Sequence, residues 1–342
     1  MRGAAGPSWS HNAGINNGRV FRWTCAGVAT LPTRVSYAIG WMGTAIAYRA
    51  MGDVSRALAE NLQRVRPDLP AGALDRLALA TYRSYAIDVI DFLRSVSLSP
   101  RERDRLFILE GRDRFDAARS EGRGLILVAG HYGNWELGAV VMHHYRYPLD
   151  VVAMQEPDPV VNDIRRRMRA SLGVRTIEVR QSLDTALQIR RRLAANATVA
   201  MLMDRHVGRD RVRVRFFERD AWFLRTPALL GYLSGAPLVP CFIERQLDGR
   251  FLVLPGAPIH VDRALERDAA VRHAAQAFAL ALETRIRERP TLWYQFYPYW
   301  RMQDAASAEE AAGTEVPALY SAAAPHSGAT PHLATEDERA WR

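Results

Sequence analysis

The chain has 342 residues, of which 48% are hydrophobic and 24% charged. That composition belongs to a folded globular protein of one large domain or two ordinary ones and excludes a chain too polar to bury a core. Cys25 and Cys241, far apart in sequence, exclude a disulfide framework and fit a reducing cytoplasm. All 46 basic residues are arginine, and against 37 acidic ones they leave a net charge of +9. Arginine forks two donors toward carboxylates and phosphates, so the excess suits a phosphate-bearing ligand, an anionic membrane face or an acidic protein partner.

Residues 1–20 are polar, rich in Gly, Asn and Ser, and lack the early apolar core of a secretory signal; they read as a disordered N-terminus. Residues 21–120 read as an N-terminal helical, membrane-associating region. Within it, "VSYAIGWMGTAIAY" (Val35–Tyr48) is uncharged but shorter than the ~20 residues that span a bilayer. It is either a buried helix or one lying in the membrane interface, with Tyr37, Trp41 and Tyr48 as headgroup-level anchors. Apolar residues recurring at three and four predict an amphipathic helix over Ala71–Ser95, and "RDRFDAARSEG" a short one closing at Gly122.

The period then changes. "GLILVAG" (Gly124–Gly130) is a short apolar run between glycines, as in a strand covered on both faces. Similar runs follow at Leu149–Met154, Val174–Val179, Thr198–Met203, Val212–Phe217, Leu238–Ile243 and Phe251–Leu254, with helical patterns at Val160–Ser171, Ser182–Ala194 and Val271–Arg289. This alternation predicts an α/β core over residues 121–302, with a mixed, mostly parallel central sheet flanked by helices. Residues 303–342, rich in Ala, Ser, Glu, Pro and Thr, read as a disordered tail.

Sites in open α/β sheets gather where strands end and helices begin. In "VAGHYGNWELG" (Val128–Gly138), His131 directly follows the first such strand and Glu136 comes five residues later. With His131 on the loop and Glu136 in the first helical turn, the carboxylate holds one ring nitrogen and frees the other as a base. Gly133 permits the bend, Asn134 is a candidate N-cap, and the loop amides of both are candidate donors to an oxyanion. No metal is assigned, because His143 and His144 lack H-E-x-x-H or C-x-x-C company. There is also no G-x-S-x-G elbow of a serine hydrolase.

The longer string "GHYGNWEL", after an apolar strand and "GRDRFDAARSEGRG", resembles the late acyltransferases of lipid A biosynthesis. This lauroyl/myristoyl acyltransferase family includes the phosphatidylinositol mannoside acyltransferases. "RRRMRASLGVRTIEV", "VAMLMDRHVG", "VRVRFFERD" and "TPALLGYLSGAPLVPCF" continue the likeness, which runs from about Val35 to Trp300. Two departures stand out: Glu218 occupies a position that is usually Gly in the family, and the loop after Asp204 has one glycine, Gly208, where relatives have more.

The resemblance implies a glycerolipid-acyltransferase-like fold and an O-acyltransferase. A fatty acyl chain would pass from acyl carrier protein or coenzyme A to a hydroxyl of a membrane glycolipid such as a lipid A precursor. It places the protein on the cytoplasmic face of the inner membrane, peripheral or with a single N-terminal anchor, and implies no cofactor. His131 and Glu136 are then the catalytic pair. Arg169 holds a phosphate, the thioester oxygen or the site carboxylates, and Asp204 fixes Arg169 or the acceptor. Gly133, Asn134 and Arg205 complete the substrate-binding set. Alternatives are a mannosylated inositol lipid or another lysolipid as acceptor, or a thioesterase in which water replaces it. A nucleic-acid-binding protein is the non-enzyme alternative, but the aromatic residues are not interleaved with the arginines and no recognised module is present.

Overall fold

The computed structural model describes residues 18–95, 98–156, 158–179 and 183–312. Four helices lead: α1 (Gly18–Thr30), α2 (Thr33–Ala50), α3 (Gly52–Val65) and α4 (Ala71–Ser95). After them come α5 (Pro100–Leu106), β1 (Phe107–Leu109), α6 (Arg112–Ser120), β2 (Leu125–Ala129), α7 (Leu137–His144), β3 (Leu149–Ala153), α8 (Pro159–Ser171), β4 (Arg175–Glu178), α9 (Leu183–Ala194) and β5 (Thr198–Leu202). The chain continues through β6 (Val212–Phe216), β7 (Arg219–Phe223), α10 (Thr226–Ser234), β8 (Leu238–Arg245), β9 (Phe251–Pro255), α11 (Arg267–Glu288) and α12 (Tyr299–Ala312).

Seven strands form one sheet in the order β1-β9-β8-β2-β5-β3-β4. β8, β2, β5, β3 and β4 run parallel, while β9 is antiparallel to β8 and parallel to β1 at one edge. β2 lies between β8 and β5, and its alternate residues feed opposite layers: Ile126 and Val128 join one core, Leu125 and Leu127 the other. That is why "LILVA" is apolar at every position. The expected alternation of strands and helices is present, and the sheet is mixed and mostly parallel.

Three expectations need correction. Val212–Phe217 lies outside the central sheet, because β6 pairs only with β7 as an antiparallel hairpin, a partner strand that its charged residues hid. The tail continues as helix α12 to Ala312, and α1 already starts at Gly18; the remaining residues expected to be disordered lie outside the described ones. Tyr37 and Tyr48 are not headgroup anchors: the Tyr37 hydroxyl bonds Asp91 and the Tyr48 hydroxyl bonds Asp75 at 2.5 Å, both on α4.

At the turn joining β6 to β7, Phe217 and Glu218 adopt φ of +48° and +60°. This left-handed region costs a residue with a Cβ about 1–2 kcal/mol, which accounts for glycine being usual at the second position. Glu218→Gly is expected to raise stability by about 0.5–1 kcal/mol after the extra flexibility of the unfolded chain is subtracted. Urea denaturation reads this directly.

Candidate active site

His131 and Asp204 leave the sheet side by side. β2 and β5 are parallel neighbours whose register sets Ala129 against Leu202, so the residues two positions further along each strand emerge at one level. The Met203 N–H, donating to the Ala129 carbonyl at 2.8 Å, extends the ladder toward them. His131 Nδ1 lies 2.7 Å from Asp204 Oδ1. Asp204 Oδ2 accepts from the His131 backbone N–H at 2.9 Å and from Gln295 Nε2 at 2.8 Å. A carboxylate only accepts, so Nδ1 carries the hydrogen and Nε2 presents its lone pair.

Electrostatics set the charge state of this pair. Asp204 is fully buried. Burial works against its charge, but His131 and Arg205 outweigh that and hold the carboxyl below the usual carboxylate range. For His131, burial is the largest influence and Arg205 adds to it. Together they overcome Asp204 and push the imidazole below the ordinary histidine value. It is therefore neutral at pH 7.

The carboxylate expected to orient the imidazole is engaged elsewhere. Glu136 Oε1 accepts from Arg165 at 2.6 Å and Oε2 lies 3.6 Å from Arg169. Burial raises the Glu136 carboxyl, and the two arginines more than reverse that, so it stays ionised. Among the described residues no hydrogen bond joins Glu136 to His131, and Asp204 binds His131 rather than Arg169. Arg169, from the run "RRRMR", packs toward Glu136 and not toward Asp204. Arg205 donates to Gln295 Oε1 at 2.9 Å and to the Tyr294 carbonyl at 3.0 Å. It thus braces the segment that carries Gln295.

The glycine and asparagine of the loop serve as structure. The Gly133 N–H donates to the Leu292 carbonyl and the Asn134 N–H to the Ile243 carbonyl, each at 2.8 Å. Both expected oxyanion donors are thereby committed. Asn134 is no N-cap either, since α7 begins at Leu137 and the Asn134 side chain donates to the Asp88 carbonyl on α4 at 2.8 Å. Gly130 has a different duty: a Cβ there would sit 2.9 Å from Leu282 Cδ2 and 3.4 Å from the Asp204 carboxyl carbon. The tight contact is with the tip of the Leu282 side chain on α11, while the distance to Asp204 is ordinary van der Waals contact.

A half-open cleft of about 450 Å³, counted out to open solvent, is walled by Phe21, Tyr85, Val89, Phe92, Trp135 and Tyr294; it reaches the residues that follow His131 in the loop, while His131 and Asp204 themselves do not line it. Gly133 and Asn134 also line it. The Trp135 ring meets His131 edge-on at 5.3 Å between centroids, so it joins His131 to the wall of the cleft. Glu136, Asp88 and Arg165 supply the polar lining. Burial pushes the Asp88 carboxyl up to about 7, although the Tyr294 hydroxyl donates to it at 2.6 Å. Arg165 Nε is buried and, among the described residues, finds no acceptor. An orphaned donor in a cleft wall favours a ligand carrying an acceptor oxygen. Among the described residues no group of three or more His, Cys, Asp or Glu is placed to hold a metal ion.

Gln295, Tyr294, Asp88 and Phe21 were not singled out in the sequence, and Arg165 stood out only as one of the run "RRRMR". One signal was available for the His131 partner: "LILVA" and "TVAML" are both five residues long, and each is followed two positions later by a polar residue.

Residues 20–302 match the model of the bacterial lipid A biosynthesis acyltransferase family. The chain is 26% identical over 292 residues to a phosphatidylinositol mannoside acyltransferase of Mycobacterium tuberculosis strain H37Rv, covering 80% of this chain and 90% of that one. It is also 26% identical over 291 residues to a protein of the same name from Mycolicibacterium smegmatis, covering 78% and 91%. With the matched span enclosing the sheet, the His131 loop and the cleft, the chain belongs to the bacterial lipid A biosynthesis acyltransferase family and is an acyltransferase.

Proposed function

We propose that the protein moves a fatty acyl group from a thioester, on acyl carrier protein or coenzyme A, to a hydroxyl of a membrane glycolipid. The observation that carries this reading is the His131–Asp204 pair, whose imidazole meets Trp135, a wall of the apolar cleft. A hydroxyl is a weak nucleophile at neutral pH and needs a positioned base. His131 Nε2 takes the hydroxyl proton as the oxygen attacks the thioester carbonyl. The tetrahedral intermediate then collapses, the carbon–sulfur bond breaks, and the imidazolium returns the proton to the leaving sulfur. The products are an ester and a free thiol, with no acyl group left on the protein.

Asp204 is the orienter in this scheme, and Glu136 and Arg165, with Arg169 behind Glu136, form the polar end of the cleft. There the unpartnered Arg165 N–H would meet a carbonyl or phosphate oxygen of a substrate. The relatives' names favour a mannosylated inositol lipid as acceptor over a lipid A precursor. Offering each acceptor with labelled acyl-coenzyme A or acyl carrier protein tests the reading: an acylated glycolipid is the expected product. Release of free fatty acid alone, with neither acceptor modified, would replace transfer by hydrolysis.

A further inference from the structure

Helix α1 covers part of the cleft on slender support. Three of its 13 residues are buried, Gly18, Phe21 and Val28, and half-buried Cys25 completes one inward-facing helical stripe. Phe21 is a cleft wall, with the Arg165 guanidinium 5.8 Å from its ring. Cys25 also lies within electrostatic reach of Arg165. Both ends of α1 are tied to other helices. At one end the Gly18 N–H donates to Asp158 Oδ2 at 2.6 Å, beside the start of α8. At the other, Arg94 of α4 donates to the Val28 and Leu31 carbonyls, each at 3.0 Å. Beneath the helix, Arg165 Nη1 donates to Glu136 and lies 3.4 Å from Glu156, while Nε is buried and finds no acceptor among the described residues. Water satisfies that N–H if α1 lifts, and a ligand oxygen satisfies it with α1 in place. Closure without such an oxygen therefore leaves a buried donor unpaired, and closure over one does not.

We propose that α1 is a strap over the cleft, held at the Arg94 clamp, latched at Gly18 and closed by a ligand oxygen that meets Arg165 Nε. The ligand that fits is an apolar chain carrying a carbonyl or phosphate oxygen, because Phe21, Tyr85, Val89 and Phe92 wall the rest. An unpaired buried donor costs enough to shift an opening equilibrium by about ten-fold or more. Opening is local: α1 leaves while the sheet and the His131–Asp204 pair stay where they are. The strap rests on reading the cleft as a substrate site, but not on which reaction follows.

Alkylation of the full chain by iodoacetamide, with mass spectrometry resolving the two cysteines, reads the opening. Cys25 lies on the strap and Cys241 on β8, so global unfolding labels both and strap opening labels Cys25 alone. Gly18→Ala sets a Cβ 2.6 Å from Asp158 Oδ1 and 2.7 Å from Val160 Cβ. By breaking the latch it should speed Cys25 labelling about ten-fold. Arg165→Lys keeps a charge for Glu136 but deletes the unpaired N–H, and should slow Cys25 labelling about ten-fold. Palmitoyl-coenzyme A, added to His131→Ala so that no acyl group is transferred, should slow Cys25 labelling about ten-fold. It should have no effect once Arg165→Lys is combined with His131→Ala. None of these rates requires turnover, so failure of the proposed reaction leaves them readable. The strap is overturned if Cys25 and Cys241 label in parallel, or if Gly18→Ala labels as the wild type does. An unchanged Cys25 rate with palmitoyl-coenzyme A, or faster labelling in Arg165→Lys, would overturn it equally.

Discussion

His131→Ala is expected to lower the acyl-transfer rate by about 10²–10⁴-fold, the contribution of a positioned general base. The fold should survive. His131 sits on a loop past the end of β2, and Asp204 keeps two other donors, the backbone N–H of residue 131 and Gln295 Nε2. Losing one of three partners of a buried carboxylate costs about 1–3 kcal/mol, which a domain of this size tolerates. Single-turnover transfer of a labelled acyl chain, with far-ultraviolet circular dichroism beside it, reads both quantities. A variant within a few-fold of the wild type would remove His131 from the chemistry.

Gly133→Ala should do the most damage to the structure itself. Residue 133 has φ of +58°, and a Cβ there would lie 2.2 Å from the carbonyl oxygen of Ile243. That oxygen accepts the Asn134 N–H, so neither side can retreat without breaking the bond that pins the His131 loop to β8. Left-handed strain of about 1–2 kcal/mol adds to the forced backbone shift. A total loss of at least about 3 kcal/mol is expected, lowering the unfolding temperature by roughly 5–10 °C. Transfer should fall with it, because His131 is displaced from Asp204. Gly138→Ala is the control: nothing lies within 4 Å of its added Cβ, and inside α7 alanine gains up to about 1 kcal/mol. Equal melting of the two variants would show that the close approach at Gly133 is not what holds the loop.

These effects separate what the sequence could convey from what it could not. Short apolar runs announced seven of the nine strands among the described residues, but not β1 (Phe107–Leu109) or β7 (Arg219–Phe223). The histidine proposed as the base was also legible, immediately after "GLILVAG". Its partner was not. Glu136 lies five residues away and invites a local pairing, whereas Asp204 lies 73 residues away and meets His131 only through the β2–β5 register, which no spacing along the chain encodes. The loop amides of Gly133 and Asn134 were misread for a related reason. Their acceptors, Leu292 and Ile243, belong to a distant turn and a distant strand. Charge runs conceal roles equally well: "RRRMR" reads as one solvated face, yet packing sends Arg165 and Arg169 inward to Glu136 and leaves Arg166 and Arg167 outside on Asp163.

The pH dependence of kcat/KM in the wild type, Asp204→Asn and Glu136→Gln discriminates most sharply. The neutral imidazole is the working form, and burial holds its pKa below the ordinary value of about 6.5. The wild-type rate should thus rise with pH through a midpoint below that value and be flat by pH 7. Removing the Asp204 charge withdraws the attraction that favours the imidazolium and leaves the tautomer unfixed. Asp204→Asn should therefore move the midpoint lower still and reduce the plateau by about 10²–10⁴-fold, while Glu136→Gln moves the midpoint less. A midpoint that stays put in Asp204→Asn, or one that shifts mainly in Glu136→Gln, would contradict the pairing of His131 with Asp204.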